Sequence, residues 1–452
     1  MTTTWPGATT ASQNPDSRVR RIGVWATMAY LFLVFSRVIE LLPAQLRLAL
    51  ATAAVASLAA LLTGGFRRAL STGAGRMLTA FSVWLVLSTP WSFWRGGSLA
   101  LLRDQWLKCF LCFVMVGGLL EGYRECRQAA YGIAAGTVTN AVLCLRSADS
   151  LFAGRLSSQG GMSGNPNDLA QLLLLGLPFL FFIAFTEKRR PVRRLAATAA
   201  AALVLLVVVA TGSRGNMVAI AAVAAVVFCQ VRLSQKLAAL AAAVALVAAL
   251  AALLPEGLRQ RYLSVFDKGI RVQQQDQFAD SGSIDGRYEV LLESLRMTWE
   301  HPLLGVGPGV FPAAAAKQSE KRGERPMWRE THNTYTQISS EAGLPALCFY
   351  LAALTWCLRR CWKIHRFGRR LLPSPEIPNL AHCVMLSLIV LATTSLFSCV
   401  AYMWFLPVLA GLTVAILRCA EAEASQAAGS ELVQAAPQPG AFPDPGLHPL
   451  AG

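Results

Sequence analysis

Charge is scarce in this 452-residue chain: Asp, Glu, Lys and Arg make up 15% of it, against 54% hydrophobic residues and a mean hydropathy of +0.46. That balance excludes an ordinary soluble domain. Cysteine is missing from the longest polar segment, Pro255 to His332, so no disulfide framework holds it. Of the eleven cysteines elsewhere, ten lie in or at the ends of apolar runs, where a thiol acts as a small hydrophobe, and Cys126 falls in a polar loop. Cys109/Cys112 and Cys357/Cys361 lack the neighbours a metal or redox centre needs. There is no Walker motif, no DxD-like carboxylate pair on the long loop and no HExxH. The net charge of +16 comes without a basic module interleaved with aromatics, which excludes nucleic acid as a partner.

What is present is apolar helix. Runs of roughly 16 to 22 residues recur, each long enough to cross a hydrocarbon core of about 30 Å. About twelve are expected: Ile22–Ile39, Ala44–Thr63, Met77–Trp94, Gln105–Leu120, Ala129–Leu145, Leu169–Thr186, Leu195–Thr211, Asn216–Val231, Leu237–Leu254, Ala342–Leu358, His382–Phe397 and Tyr402–Leu417. The expected fold class is an all-α polytopic membrane protein. Residues 1–21 and 421–452 read as disordered tails, 22–254 as nine spans and 333–420 as three more. A long, partly helical loop, 255–332, lies between spans nine and ten. Alternate loops carry the cations Arg18-Arg20-Arg21, Arg67-Arg68-Arg76, Arg124-Arg127, Lys188 to Arg194, Arg232-Lys236 and Arg359 to Arg370. By the positive-inside rule both termini are cytoplasmic and the long loop faces outward. The loop itself holds eleven Lys/Arg against eleven Asp/Glu.

Three places on the outward side could carry chemistry. Thr211-Gly212-Ser213-Arg214-Gly215-Asn216 breaks two apolar runs and sets Arg214 at the membrane boundary. It reads either as a ligand-binding cation between glycines or as an anchor reaching for lipid headgroups. Asp285, a candidate N-cap, precedes Arg287 on a helix whose Leu291, Leu295 and Trp299 share a face. Lying on the membrane surface, such a helix would offer N–H groups and a guanidinium to phosphate; the alternative is an ion pair of Arg287 with Glu289 or Glu293. His332 stands where the chain re-enters the membrane, either as a proton acceptor or as a helix-terminal residue bonded to its neighbours. Two cations and a base on one face suit transfer from a lipid-held pyrophosphate to a hydroxyl. A transporter or lipid-glycan flippase is the competing class, but its spans should carry mid-membrane ionisable groups, and these are nearly free of them.

Taken in order, Gly164-Asn165-Pro166-Asn167, Ser213-Arg214-Gly215, Arg287, His301-Pro302-Leu303-Leu304-Gly305-Val306-Gly307-Pro308-Gly309, His332-Asn333-Thr334-Tyr335 and Glu341-Ala342-Gly343-Leu344 resemble the O-antigen ligase/polymerase superfamily. The resemblance is strongest from about Arg155 to Leu358. It implies an inner-membrane glycosyltransferase of the GT-C type at the periplasmic face. Such an enzyme moves a glycan from an undecaprenyl-pyrophosphate carrier to an acceptor hydroxyl on lipid or glycan, without metal or other cofactor. A polymerase of carrier-linked repeat units is the alternative within the family. Arg214 and Arg287 would hold the pyrophosphate, and His332 would orient or deprotonate the acceptor, with inversion. Arg155, Asn165, Asn167, Asn333 and Tyr335 are further binding candidates. Gly305, Gly307 and Gly309 are expected to shape the loop.

Overall fold

Inside lipid a backbone must satisfy its own hydrogen bonds, so an apolar chain of this kind folds as helices. The computed structural model describes residues 15–41, 47–146, 151–152, 155–156, 165–187, 189–230, 236, 256–263 and 284–435. The helices are α1 (Pro15–Ser36), α2 (Leu48–Leu62), α3 (Gly65–Leu70), α4 (Gly73–Ser88), α5 (Arg95–Leu101), α6 (Leu107–Leu119), α7 (Tyr123–Arg146), α8 (Pro166–Thr186), α9 (Pro191–Ala210), α10 (Arg214–Gln230), α11 (Glu256–Leu263), α12 (Ile284–Glu300), α13 (Phe311–Lys321), α14 (Thr334–Leu371), α15 (Glu376–Thr394) and α16 (Phe405–Ala435). A two-residue antiparallel pair, β1 (Leu151–Phe152) with β2 (Arg155–Leu156), sets Phe152 opposite Arg155.

Six described stretches are long and apolar enough to cross a membrane: Arg18–Ser36, Pro166–Thr186, Pro191–Ala210, Thr334–Arg370, Glu376–Thr394 and Phe405–Ala427. The chain is a multi-pass membrane protein. Helices α2 and α10 are apolar but shorter. The expected span from Met77 stops as a helix at Ser88, where Pro90 and a tight 3-10 turn follow. The one from Gln105 is entered through α5 and a π-turn at Leu102–Trp106. The run Leu237–Leu254 lies outside the described residues.

Several boundaries move. Residues 421–435, expected as a tail, continue α16, because Ala, Glu, Gln and Leu dominate there and the first proline comes at Pro437. Cys126 belongs to α7, not a loop, and its buried Sγ lies 3.8 Å from that of Cys419. Asn165, read as a binding candidate, caps α8 by accepting from Asn167 N at 2.9 Å. Asp285 lies inside the first turn of α12 instead of at its cap.

Helices α8, α15 and α16 form the centre, with Leu169, Leu173, Phe179, Val384, Leu388, Val408 and Leu412 fully enclosed. On α2 and α9, Leu58, Leu61, Leu195 and Leu206 point outward as surface for lipid. At one end Arg20 of α1 pairs with Glu125 at 2.9 Å and Arg68 of α3 with Glu121 at 2.9 Å. The other end, about 25 Å along α1 by its rise, gathers Arg37, which feels Asp168 at the start of α8. The start of α14 closes on the end of α15 there, Thr334 N donating to Ser395 O at 2.8 Å.

Candidate active site

The site is built on the break between α9 and α10. Gly212 turns the chain with φ 64°, the left-handed region that favours glycine, and a Cβ there would press on the Leu258 side chain of α11 at 3.0 Å. Two arginines from elsewhere hang on its carbonyls. Arg155 Nε donates to Thr211 O at 2.7 Å, and Arg261 Nε of α11 donates to Gly212 O at 3.0 Å. Arg155 Nη2 also donates to Asn167 Oδ1 at 3.0 Å. Arg214 opens α10 and Arg287 comes from the first turn of α12. Arg214, Arg261 and Arg287 line one small cavity, together with Asn167, Gln171, Ser213, Gly215, Asn216, Thr394, Phe397 and Ser398. Among the described residues no carboxylate is part of that lining.

The cations are crowded. Burial lowers the pKa of Arg287, and Arg214 lowers it further. Burial, then Arg214 and Arg287, lowers that of Arg261. Arg155 is pushed down to about 9, by burial first and by Arg261, Arg287 and Arg214 after it. A guanidinium stays protonated at neutral pH, so these shifts record desolvation and repulsion among like charges. The carboxylates that could have quenched Arg287 are engaged elsewhere: Glu289 with Arg329 at 3.9 Å and Glu293 with Arg322 at 3.1 Å. Arg287 Nε is buried without a hydrogen-bond partner among the described residues.

His332 sits in the left-handed region at φ 50°, an unusual conformation for a residue with a side chain. Thr331 and Thr334 hold it from both sides, Thr334 Oγ1 donating to Ser398 O at 2.6 Å. Burial, then Arg287 and Arg329, pushes the imidazole down to about 4. It is therefore neutral at pH 7, the form that accepts a proton. The ring is not part of the cavity lining but lies within the field of Arg287.

The His301–Gly309 turn does not face the cavity. It grips the start of α14, where the helix breaks at Gly343 (φ 81°, ψ 173°). Val306 N donates to Ser340 O, Gly307 N to Glu341 O and Leu344 N to Pro302 O, each at 2.8 Å. The buried Glu341 carboxylate accepts from Gly309 N at 3.0 Å and Phe311 N at 3.1 Å. The His301–Gly309 and Glu341–Leu344 motifs are thus one structural clamp, which sets where the segment bearing His332 enters the bundle.

Residues 199–351 match the family model described as O-antigen ligase. That stretch, about a third of the chain, is similar to an O-antigen ligase domain. No curated protein matches the chain significantly. The domain supports an O-antigen ligase or polymerase type of function, that of a glycosyltransferase-like membrane enzyme. Arg214, Arg261, Arg287, His332 and the clamp all fall inside the matched stretch, whereas Arg155, Asn167, Gln171 and Thr394 come from outside it.

Not every candidate reaches the ligase-domain cavity. Asn165 caps α8, and Asn333 caps α14 by accepting from Tyr335 N at 2.9 Å and Thr336 N at 3.2 Å. Tyr335 donates to Ala392 O at 2.7 Å. These three hold the frame. Arg261 is the cation that sequence reasoning missed; it stood among balanced charges on a short polar helix, with no motif around it. Gln171 and Thr394 were hidden inside apolar runs, where a lone polar residue inside a span was itself the available signal.

Proposed function

We propose that this protein transfers a glycan from an undecaprenyl-pyrophosphate carrier to an acceptor hydroxyl on lipid or glycan, as an O-antigen ligase, at the periplasmic face of a bacterial inner membrane. The observation that supports this reading is the half-buried set Arg214, Arg261 and Arg287 around one cavity without a carboxylate in its lining among the described residues. Three permanent cations, with Arg155 behind them, suit a diphosphate carrying more than one negative charge. In the reaction the acceptor oxygen bonds to the anomeric carbon as that carbon's bond to the phosphate oxygen breaks. The carrier pyrophosphate departs with the electron pair, its charge stabilised by the arginines, and the acceptor proton passes to neutral His332. One displacement inverts the anomeric centre, and the arginines supply the electrostatic stabilisation a metal would give. Twelve spans with both termini cytoplasmic follow from the loop charges. The test is transfer by the purified protein from an undecaprenyl-pyrophosphate glycan. Arg214→Ala, Arg261→Ala, Arg287→Ala and His332→Ala should each lower the rate at least tenfold; wild-type rates in all four would refute the reading.

A further inference from the structure

Two amide side chains line the arginine cavity with one atom each left over. Gln171, only 1% exposed, donates from Nε2 to Thr394 Oγ1 at 2.8 Å. The Thr394 hydroxyl gives its own proton to Val390 O at 2.9 Å, so it must accept from Gln171 and the amide cannot be turned over. Asn216, 4% exposed, donates from Nδ2 to Asn167 O at 2.9 Å, a carbonyl that can only accept, and to Ser213 Oγ at 2.8 Å. Its orientation is fixed in the same way. What remains are Gln171 Oε1 and Asn216 Oδ1, both buried and both without a partner among the described residues.

Each of these oxygens can only accept a hydrogen bond, and an ionised phosphate has none to give. Arg287, with a donor unmet among the described residues, and two amides with unmet acceptors therefore ask for two different parts of one ligand. We infer that Gln171 and Asn216 form a sugar subsite beside the diphosphate cradle, receiving hydroxyl or amide hydrogens of the sugar bonded directly to the carrier pyrophosphate. The inference rests on the donor reading given above. It places the anomeric carbon at the border between the two amides and the arginines, with the carrier sugar's donor groups setting which glycans fit.

The experiment compares binding of two probes to the full-length protein in detergent: bare undecaprenyl pyrophosphate, and the same carrier bearing one N-acetylhexosamine. Gln171→Met and Asn216→Ala should each weaken the sugar-bearing probe about fivefold, the worth of one neutral hydrogen bond. The bare carrier should bind them as it binds wild type, which also certifies that they are folded. Gln171→Glu, which keeps an acceptor oxygen, should retain most of the preference for the sugar-bearing probe. Equal weakening of both probes, or of neither, overturns the subsite. If Arg214→Ala and Arg287→Ala leave the bare carrier's affinity unchanged, the donor reading is what fails.

Discussion

Replacing Arg287 by Met should separate catalysis from stability, because the two respond with opposite sign. Arg287 is a desolvated cation whose Nε finds no partner among the described residues and whose charge is opposed by Arg214. A buried donor left unmet costs roughly 1–3 kcal/mol, while the methionine keeps most of the apolar stem. The variant should therefore be no less stable than wild type and up to about 1 kcal/mol more so, a rise of about 1–2 °C in a chain this long. Against the donor the sign reverses. Each charge-assisted hydrogen bond to phosphate is worth roughly 1.5–3 kcal/mol, so loss of a two-pronged contact should lower kcat/KM by roughly a hundredfold to ten-thousandfold. Arg287→Lys, which keeps the charge without the fork, should fall between. Thermal melting in detergent micelles and transfer from purified donor read the two effects separately. If Arg287→Met melted well below wild type and lost transfer in proportion, Arg287 would be a structural residue and the argument from its unmet charge would be refuted.

Gly343→Ala should cost about 3 kcal/mol or more, since φ 81° with ψ 173° is open essentially to glycine alone and a Cβ would lie 1.9 Å from Leu303 O, which is backbone and cannot step aside; a melt identical to wild type would show that the clamp is loose. His332 titrates near 4 when folded against an ordinary value of 6.5, so its contribution to stability is fully present above pH 6.5 and is lost as pH falls toward 4. Wild type should accordingly lose more stability than His332→Gln between pH 7 and pH 4, and parallel melting curves would contradict the burial of a neutral imidazole. Bound diphosphate should oppose that shift, raising the histidine back toward its ordinary value.

Much of the helical layout was legible because hydrophobic periodicity is a local property. Most expected runs correspond to helices, and the partial helicity of the long loop follows the same logic in α11, α12 and α13. Lengths were less legible. Pro90, the π-turn at Leu102–Trp106 and the Gly343 break shorten or divide runs that composition alone reads as continuous. On α12 the exposed stripe is Tyr288, Leu292, Leu295 and Trp299, while Leu291 turns inward; a shift of one position along a helix rotates a side chain by about 100°. Arg214, Arg287 and His332 stood out because charge is rare in this chain, whereas Arg261 had eleven acids and ten other cations for company in its loop.

By itself the sequence determined that this chain lives in a membrane as helices, and it marked the few polar residues that interrupt them. Those are consequences of hydropathy and of backbone hydrogen bonding, which act over a few residues at a time. Only the tertiary structure decided that Arg155 and Arg261 lean on the turn before Arg214, and that these three and Arg287, drawn from four separate elements, repel one another. It also decided which amide oxygens of the cavity-lining residues are left unpaired among the described residues and which asparagines merely cap a helix. Electrostatic strain and unmet hydrogen bonds are sums over neighbours in space, and the neighbours here come from as far apart as Arg155 and Ser398 in the chain.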